Sequence, residues 1–368
     1  MRIVVVGAGI LGSSIAFHLV RREAEVVLID RSEPGGGASS HSFAWINAGH
    51  KPPFGYHLLN RRSMDMWERF SQQLGTDVGL RWGGKISWEH ADGPSQEMRK
   101  TAKQLQSWGY PIRLIGVEVL GKMEPGISHG PVNVAEYSEN EGHVEPPKVV
   151  EACVDQILQL GGQVIPNTEM VAVKLGDGRK VKSVSTTSGD IDCDVVVLAG
   201  GIGNTELARF VGAQIPQQTS PGVVIRTDPQ PQLLHSVPVV YLPALNPRDR
   251  EIHLRQLSDG TVMIGEGNQE SLAEDDSQQH ADALLSRAAH YFPVLKEARA
   301  IPVPVGYRPM PMDGYPVLGF FEEAPNVYVA LTHSGVTLAP IIGQMACMEI
   351  LDGADLDVLG PYRPGRFR

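Results

Sequence analysis

The chain has 368 residues, of which 42% are hydrophobic and 20% charged, which is typical of a soluble globular protein with two packed domains. Its formal net charge of −10 argues against nucleic-acid and anionic-membrane partners, because those partners favour basic surfaces. The three cysteines, Cys153, Cys193 and Cys347, form neither a disulfide framework nor a C-x-x-C motif, so we expect a cytoplasmic protein without a membrane span.

The first predicted elements are a strand, a tight turn, a helix and a second strand. The β-branched run Arg2–Val6 precedes glycines at the G-x-G-x-x-G spacing, an apolar helical pattern continues to Leu19, and the run Glu25–Ile29 ends at Asp30. In such a unit the glycines admit a pyrophosphate to the helix N-terminus and the acid takes ribose hydroxyls. We therefore predict a bound dinucleotide. Asp30 disfavours the 2′-phosphate of NADP, and this unit leaves FAD and NAD open.

Residues 31–49 are small and polar, and they predict a loop. Because Phe43, Trp45 and Ile46 would be poorly placed in solvent, we expect this loop to line the cofactor. A helix is predicted over residues 56–74, followed by a strand pair over 80–89 that turns at Gly83-Gly84.

Two further helices are predicted over residues 95–108 and 149–160, the second after a turn at 141–147 that contains His143. Short strands are predicted over 163–165, 170–175 and 181–186. No H-E-x-x-H or comparable ligand pair occurs, so no metal is predicted. Asp194 then leads into a fully apolar, parallel-type strand that ends at Ala199, Gly200 and Gly201, where small residues let the backbone approach a cofactor.

From residue 216 to 301 the chain becomes rich in short β runs, which predicts an antiparallel sheet and a second domain, with a helix near 281–290. Residues 301–316 are held extended by five prolines, and Arg308 is the only cation among them. A buried strand over 326–331 then leads through His333, Ser334 and Gly335 into a last apolar helix that Gly353 ends.

Over nearly its whole length the chain resembles the superfamily of FAD-dependent D-amino acid oxidase, glycine oxidase and sarcosine oxidase. Four motifs carry this resemblance: the N-terminal glycines with Asp30, the Gly37-Ala38-Ser39 loop, residues 194–201, and Arg308-Pro309 through Gly319 with His333-Ser334-Gly335. It implies an α/β fold, with an α+β substrate part. The Rossmann-like FAD-binding domain would comprise 1–80, 143–215 and 306–368, and the substrate-binding domain, mostly an antiparallel β-sheet, 81–142 and 216–305.

The resemblance favours FAD over NAD and implies a set of cofactor-binding residues: Gly7, Gly9, Ile10, Leu11, Gly12, Asp30, Arg31, Ala38, Ser39, Ser40, Val171, Ala199, Gly200, Gly201, Arg308, His333, Ser334, Gly335, Val336 and Thr337. The FAD is expected to be noncovalent, because Val305 and Gly306 stand where sarcosine-oxidase relatives carry the attaching cysteine. His41 matches the attaching histidine of dimethylglycine-dehydrogenase-like relatives poorly, and we interpret it as a loop residue.

The implied reaction is oxidation of the C–N bond of an amine or amino acid (a D-amino acid, glycine or an N-alkyl amino acid). Hydride would pass to flavin N5, the imine would hydrolyse, and oxygen or another acceptor would take the electrons. Arg308 is expected to hold a substrate carboxylate. The other candidate catalytic residues are Tyr241, Arg255, His50 and Tyr307. Further candidates are Asn47, Tyr56, His253 and His333. A dehydrogenase that passes electrons to a quinone or protein, a non-catalytic FAD-binding protein and a nicotinamide dehydrogenase remain alternatives.

Overall fold

A mostly parallel sheet of six strands and a mostly antiparallel sheet of eight strands form the two main layers of the protein. The structure is a computed structural model that describes residues 1–90, 95–246, 248–267 and 274–367. In these ranges the α-helices are α1 Ile10–Val20, α2 Phe54–Leu74, α3 Ser95–Ser107, α4 Val117–Met123, α5 Pro146–Gln159, α6 Asn204–Arg209, α7 Gln278–Tyr291 and α8 Gly335–Asp352.

The strands of the described chain include several two-residue pairings. They are β1 Arg2–Val6, β2 Glu25–Ile29, β3 Trp45–Ile46, β4 Arg81–Trp82, β5 Lys85–His90, β6 Ile112–Ile115, β7 Val132–Ser138, β8 Gly142–His143, β9 Gln163–Ile165, β10 Met170–Leu175, β11 Val181–Thr186, β12 Gly189–Asp192, β13 Val195–Leu198, β14 Gln217–Gln218, β15 Pro221–Gly222, β16 Val224–Thr227, β17 Val239–Leu242, β18 Ile252–Gln256, β19 Val262–Glu266, β20 Ala300–Pro302, β21 Gly306–Tyr307, β22 Met310–Pro311, β23 Val317–Phe320 and β24 Val327–Leu331.

The six-stranded sheet has the order β23-β24-β13-β1-β2-β9, and all its neighbours are parallel except β23 and β24. Its strands are buried on both faces: Ile3 and Val5 pack on the side of the long helices, and Val4 and Val6 on the side of β10 to β12 and α6. Parallel strands covered on both faces read as continuous apolar runs. This is why the central strands of this sheet were predictable from sequence.

Helices α1 and α8 lie side by side against this sheet, so that their N-terminal ends are neighbours. The Ser14 hydroxyl of α1 donates a 2.7 Å hydrogen bond to the Ala339 carbonyl of α8. A side chain at Gly343 would meet Ser14 Oγ at 2.3 Å, so glycine permits the close approach of the two helices. At the other end, Gly335 lies beside Ile10 and Leu11.

The eight-stranded sheet has the order β20-β16-β19-β18-β17-β5-β7-β6, with β17 and β5 as its one parallel pair in the described chain. Its apolar face, which includes Ile86, Val240 and Leu254, packs on α7 through a common hydrophobic cluster. On the opposite face the strand register aligns a row of five residues across neighbouring strands: Gly265, His253, Tyr241, Ser87 and Glu136. Because side chains alternate along a strand, this polar face is turned away from α7.

Three details differ from the sequence prediction. Strands β4 and β5 do not pair at Gly83-Gly84, because β4 pairs with β8 and β5 with β7 and β17. Among the short β runs predicted between residues 216 and 301, the one at 222–227 divides into β15 and β16, which belong to different sheets. His143 lies in the short strand β8, which pairs with β3 and β4, and not in a free turn.

All strands of the six-stranded sheet fall within the three segments predicted for cofactor binding, and all strands of the eight-stranded sheet fall within the two predicted for the substrate. The exact domain limits stay a prediction. Among the described helices, α8 is long and apolar enough to cross a membrane by length and composition alone, but 61% of it is buried. Since core helices of folded proteins share this composition, α8 is weak evidence for a membrane span.

Candidate active site

The N-terminal glycines form a tight turn with open space in front of its middle position. Gly7 has φ +106°, and a Cβ there would lie 2.5 Å from the Ala199 carbonyl oxygen. A Cβ on Gly12 would lie 1.8 Å from the Gly7 carbonyl oxygen. Gly9 differs, since a Cβ would meet only Ser39 Oγ, at 3.5 Å. Gly7 and Gly12 are therefore required by packing, whereas Gly9 leaves room for a ligand at the N-terminus of α1.

Asp30 and Ser39 frame this space. Asp30 Oδ2 accepts from the Ala8 N–H at 2.7 Å and keeps a lone pair for a ligand hydroxyl, whereas Oδ1 accepts from both the N–H and the hydroxyl of Ser32, each at 2.9 Å. Ser39 Oγ accepts from the Ile10 N–H at 3.1 Å, which fixes the 31–49 loop over the start of α1.

The remaining predicted residues of this end lie nearby or in solvent. The Thr168 N–H donates to the Asp30 carbonyl, so the start of β10, with the exposed Val171, lies beside Asp30. Arg31 is exposed, and the Ser40 hydroxyl donates to the Gly37 carbonyl at 2.9 Å. At the end of β13, the Gly200 N–H donates to the Asn204 side chain, which also donates to the carbonyls of Leu198 and Ala330. Asn204 thus ties β13 to β24, a role that the sequence did not reveal.

The N-terminus of α8 is held from two sides but carries no side-chain cap. The Tyr56 hydroxyl of α2 donates to Ser334 Oγ at 2.8 Å. Thr337 Oγ1 accepts from the Asn47 N–H and donates to the Trp45 carbonyl, both at 3.3 Å. The first turn of α8 is therefore fixed in place, and the positive end of its dipole is available to an anion.

Tyr241 and His253 form the centre of the polar sheet face. Their rings stack at 5.1 Å with an interplanar angle of 28°, and Gly265 leaves room for His253. Phe43 and Trp45 of the 31–49 loop pack on these rings, at 4.3 Å from His253 and 5.1 Å from Tyr241. Burial, aided by Arg308, lowers the pKa of His253 to about 3, so its imidazole is neutral. Its Nδ1 is buried without a hydrogen-bond partner.

Arg308 lies beside these rings with its guanidinium across the backbone of Gly222. Its Nη1 donates to the Pro221 carbonyl at 2.8 Å, and a Cβ on Gly222 would lie 2.7 Å from Nη2. No carboxylate of the described chain pairs with it. Burial lowers the pKa of Arg308, while Tyr241 acts against this shift. Burial together with the charges of Arg308 and Lys51 lowers the pKa of His333 to about 3, so Arg308 acts on the N-terminus of α8 as well.

A second polar group adjoins this one and includes residues that the sequence analysis missed. His50 Nε2 lies 3.7 Å from the buried carboxylate of Glu136, which also accepts from Lys85 Nζ at 2.8 Å. The next residue, Lys51, is buried and donates to the Asn47 carbonyl and Asn60 Oδ1, both at 2.9 Å. A lysine between a histidine and two prolines carries no sequence signal for burial.

Two predicted residues are placed differently. Tyr307 is 41% exposed and its hydroxyl donates to Glu274 at 3.3 Å, so the structure does not bring it to the Arg308 group. Arg255 is 2% exposed, and its Nη1 contacts His143 Nδ1 at 3.1 Å and the Val144 carbonyl at 3.0 Å. This geometry fits a structural residue that links the eight-stranded sheet to β8. A role of Arg255 in the reaction stays a prediction.

Comparison with known proteins assigns this architecture. The sequence model of the family described as FAD dependent oxidoreductase matches residues 2–348. This chain belongs to that family. An opine oxidase subunit of Agrobacterium tumefaciens (strain Ach5) is 26% identical over 377 residues, 99% of this chain and 96% of the relative. Glycine oxidase of Geobacillus kaustophilus (strain HTA426) is 24% identical over 354 residues, 93% and 90% of the two chains.

Among solved structures, L-proline dehydrogenase from P. horikoshii superimposes with a TM-score of 0.85 at 22% identity, covering 100% of this chain and 97% of that one. This likeness confirms the fold: a mostly parallel sheet joined to antiparallel sheets. The family assignment confirms the predicted resemblance and makes the chain an FAD-dependent oxidoreductase.

The residues present fit FAD. Gly7, Gly9 and Gly12 with Asp30 would hold the adenosine diphosphate part, because of the three glycines only Gly9 is free of a backbone contact closer than 3.5 Å, and Asp30 Oδ2 retains acceptor capacity. The uncapped turn Gly335–Thr337 would hold the flavin end. Within the described residues, no group of three or more His, Cys, Asp or Glu side chains is placed to bind a metal ion.

Proposed function

We propose that this enzyme oxidises the C–N bond of an amino acid, binding the substrate by its carboxylate. The observation that carries the proposal is Arg308: a partly buried guanidinium, without a carboxylate partner in the described chain, beside the neutral rings of Tyr241 and His253. A planar guanidinium in such a setting is suited to bidentate binding of a carboxylate. The names of the relatives support this substrate class, since they refer to glycine, L-proline and opines.

Bound FAD supplies the acceptor for the hydride that leaves the carbon next to nitrogen. Arg308 orients the substrate by its carboxylate, and the Tyr241 and His253 rings exclude water without adding charge. With FAD bound, the N-terminus of α8 would stabilise negative charge at the flavin end, because the positive end of its dipole lacks a side-chain cap. The oxidised substrate is an imine, which water hydrolyses after release.

The electron acceptor is the second part of the proposal. We favour oxygen, as in the relatives named oxidases, and the alternative is a quinone or protein acceptor, which the likeness to L-proline dehydrogenase supports. Oxygen consumption and hydrogen peroxide release during turnover distinguish the two.

The test is anaerobic mixing of the FAD-loaded enzyme with a panel: D-amino acids, glycine, N-methyl amino acids, L-proline and simple amines without a carboxylate. We expect amino acids to bleach the visible flavin absorbance and the matching simple amines to be much slower. A flavin that no compound of the panel reduces, but that dithionite does reduce, would reject the proposal and favour a non-catalytic role for FAD.

A further inference from the structure

His50 lies next to Glu136 of the polar sheet face and has an unusual backbone conformation. Its φ is +54°, which non-glycine residues rarely adopt, and such strain is often found at functional sites. The side chain is half exposed, and its Nε2 faces Glu136 Oε1 at 3.7 Å. His50 therefore combines a fixed, strained backbone with an imidazole that is open to a ligand on one side.

Glu136 is built to remain a carboxylate. It is 2% exposed and accepts a 2.8 Å hydrogen bond from Lys85, which is itself buried and also donates to Ser87 Oγ. Burial acts against the charge of Glu136, but Lys85 and His50 outweigh it and lower its pKa to about 2. A buried carboxylate at this distance favours the imidazole tautomer with the proton on Nε2, which leaves the lone pair of Nδ1 free.

His50 lies between the polar sheet face and the first turn of α8. Glu136 lies in the same row of the polar sheet face as Tyr241 and His253. On the other side, the segment that carries His50 is fixed to the first turn of α8 through the Asn47 N–H and Thr337 Oγ1. The imidazole is thus placed between the sheet that carries the predicted substrate residues and the helix whose N-terminus would hold the flavin end of FAD.

We propose that His50 is the base that deprotonates the substrate ammonium group, and that Glu136 is its positioning residue. This inference rests on the proposed function and adds one requirement: an ammonium nitrogen has no lone pair to form the C=N bond of the imine, so it must lose a proton before hydride can leave. Nδ1 takes one proton from the substrate nitrogen, so a substrate ammonium and a neutral imidazole become a neutral amine and an imidazolium. This step involves no oxidation or reduction. The charged or titratable groups around His50 are Glu136 on β7, Lys85 on β5 and Glu141 before β8.

The test uses His50→Gly, because glycine accepts the positive φ and leaves a gap that free imidazole can enter. Flavin reduction is followed anaerobically with the amino acid of the panel that reduces the wild type fastest. We expect the reduction rate of the variant to be at least ~100-fold lower than that of the wild type, and added imidazole to raise the rate of the variant at least ~10-fold. Glu23→Gly is the matched control, since Glu23 also has positive φ (+61°) and is exposed at the end of α1.

Glu136→Gln tests the positioning role by a pH profile of the reduction rate. It should slow reduction and displace the acid limb of the profile, whereas a merely structural role would lower the rate equally at all pH values. If His50→Gly does not retain flavin, His50→Gln replaces it, and the acid limb of its pH profile should then be displaced from that of the wild type, because only the ionisation of the free substrate ammonium remains.

A loss below about threefold in His50→Gly, or a large loss without imidazole rescue while Glu23→Gly remains normal, would overturn the proposal. An unchanged acid limb in His50→Gln would do the same. These results differ from failure of the proposed function, in which no amino acid reduces even the wild-type flavin.

Discussion

Lys51 gives a stability prediction whose sign follows from its surroundings. Its ammonium is buried and donates to two neutral acceptors, the Asn47 carbonyl and Asn60 Oδ1. Burial lowers the pKa of Lys51 from 10.5 to about 7, with Glu141 acting against the shift. Between these two values the unfolded chain binds a proton that the folded chain lacks. Below about pH 7, burial of the charged lysine lowers the free energy of unfolding by its full amount. As the pH rises from about 7 toward 10.5, the free energy of unfolding increases by up to about 1.4 kcal/mol per pH unit.

The perturbation is Lys51→Met, which keeps the volume and removes the titration. From about pH 7.5 to about pH 9.5, the free energy of unfolding of the wild type should gain about 2.5 kcal/mol relative to the variant. This difference between two pH values does not depend on the hydrogen bonds that the variant loses. The assay is urea unfolding followed by tryptophan fluorescence, with both proteins saturated with FAD.

Lys100→Met is the control, because Lys100 is exposed on α3 and its removal should leave the pH dependence as it is in the wild type. Parallel stability curves for the wild type and Lys51→Met over this range would show that Lys51 is charged and solvated in the folded protein, and the reasoning would be refuted.

Three further predictions concern the cofactor and the substrate arginine. Gly9→Val should abolish FAD binding, because the side chain would fill the open space at the N-terminus of α1, and a soluble variant with wild-type flavin content would disprove this placement. Acid precipitation should leave the flavin in the supernatant, whereas flavin in the pellet would indicate a covalent link and direct attention to His41. Gly222→Ala should displace the Arg308 guanidinium, whose Nη2 lies 2.7 Å from the added Cβ, and raise the KM for amino acids about tenfold with an unchanged flavin spectrum. An unchanged KM would separate Arg308 from the substrate.

Sequence reasoning succeeded where the signal is local. The turn around Gly7 and Gly12 and the apolar strands β1 and β13 depend on spacing and on continuous hydrophobic runs, and these features are present in the chain itself. The Gly83-Gly84 hairpin prediction was wrong because strand partners are chosen across the whole fold. Strand β5 pairs with β7, about fifty residues later, and with β17, much further along the chain.

The polar groups show the same limit. Lys85, Glu136 and Lys51 are charged residues that sequence reasoning places in solvent by default, and only the tertiary structure shows that they are buried. Tyr307 is a predicted site residue that the structure places apart from the Arg308 group. Tyr307 precedes Arg308 in an extended segment, where successive side chains point to opposite sides. The two side chains are therefore not expected to face the same site. The structure shows Arg308 partly buried and Tyr307 in solvent.

The central claim is that Arg308 holds the carboxylate of the substrate, and a paired-substrate comparison tests it most directly. The rate of anaerobic flavin reduction is measured for Arg308→Leu and Arg308→Lys with an amino acid and with the amine of the same chain that lacks the carboxylate. We expect Arg308→Leu to lower the rate of flavin reduction by the amino acid by more than tenfold, equivalent to at least ~2 kcal/mol, because one bidentate charge-assisted contact is lost. The rate with the amine should change little. Arg308→Lys should lie between the wild type and Arg308→Leu. Equal losses for both substrates, or no loss for either, would contradict the claim.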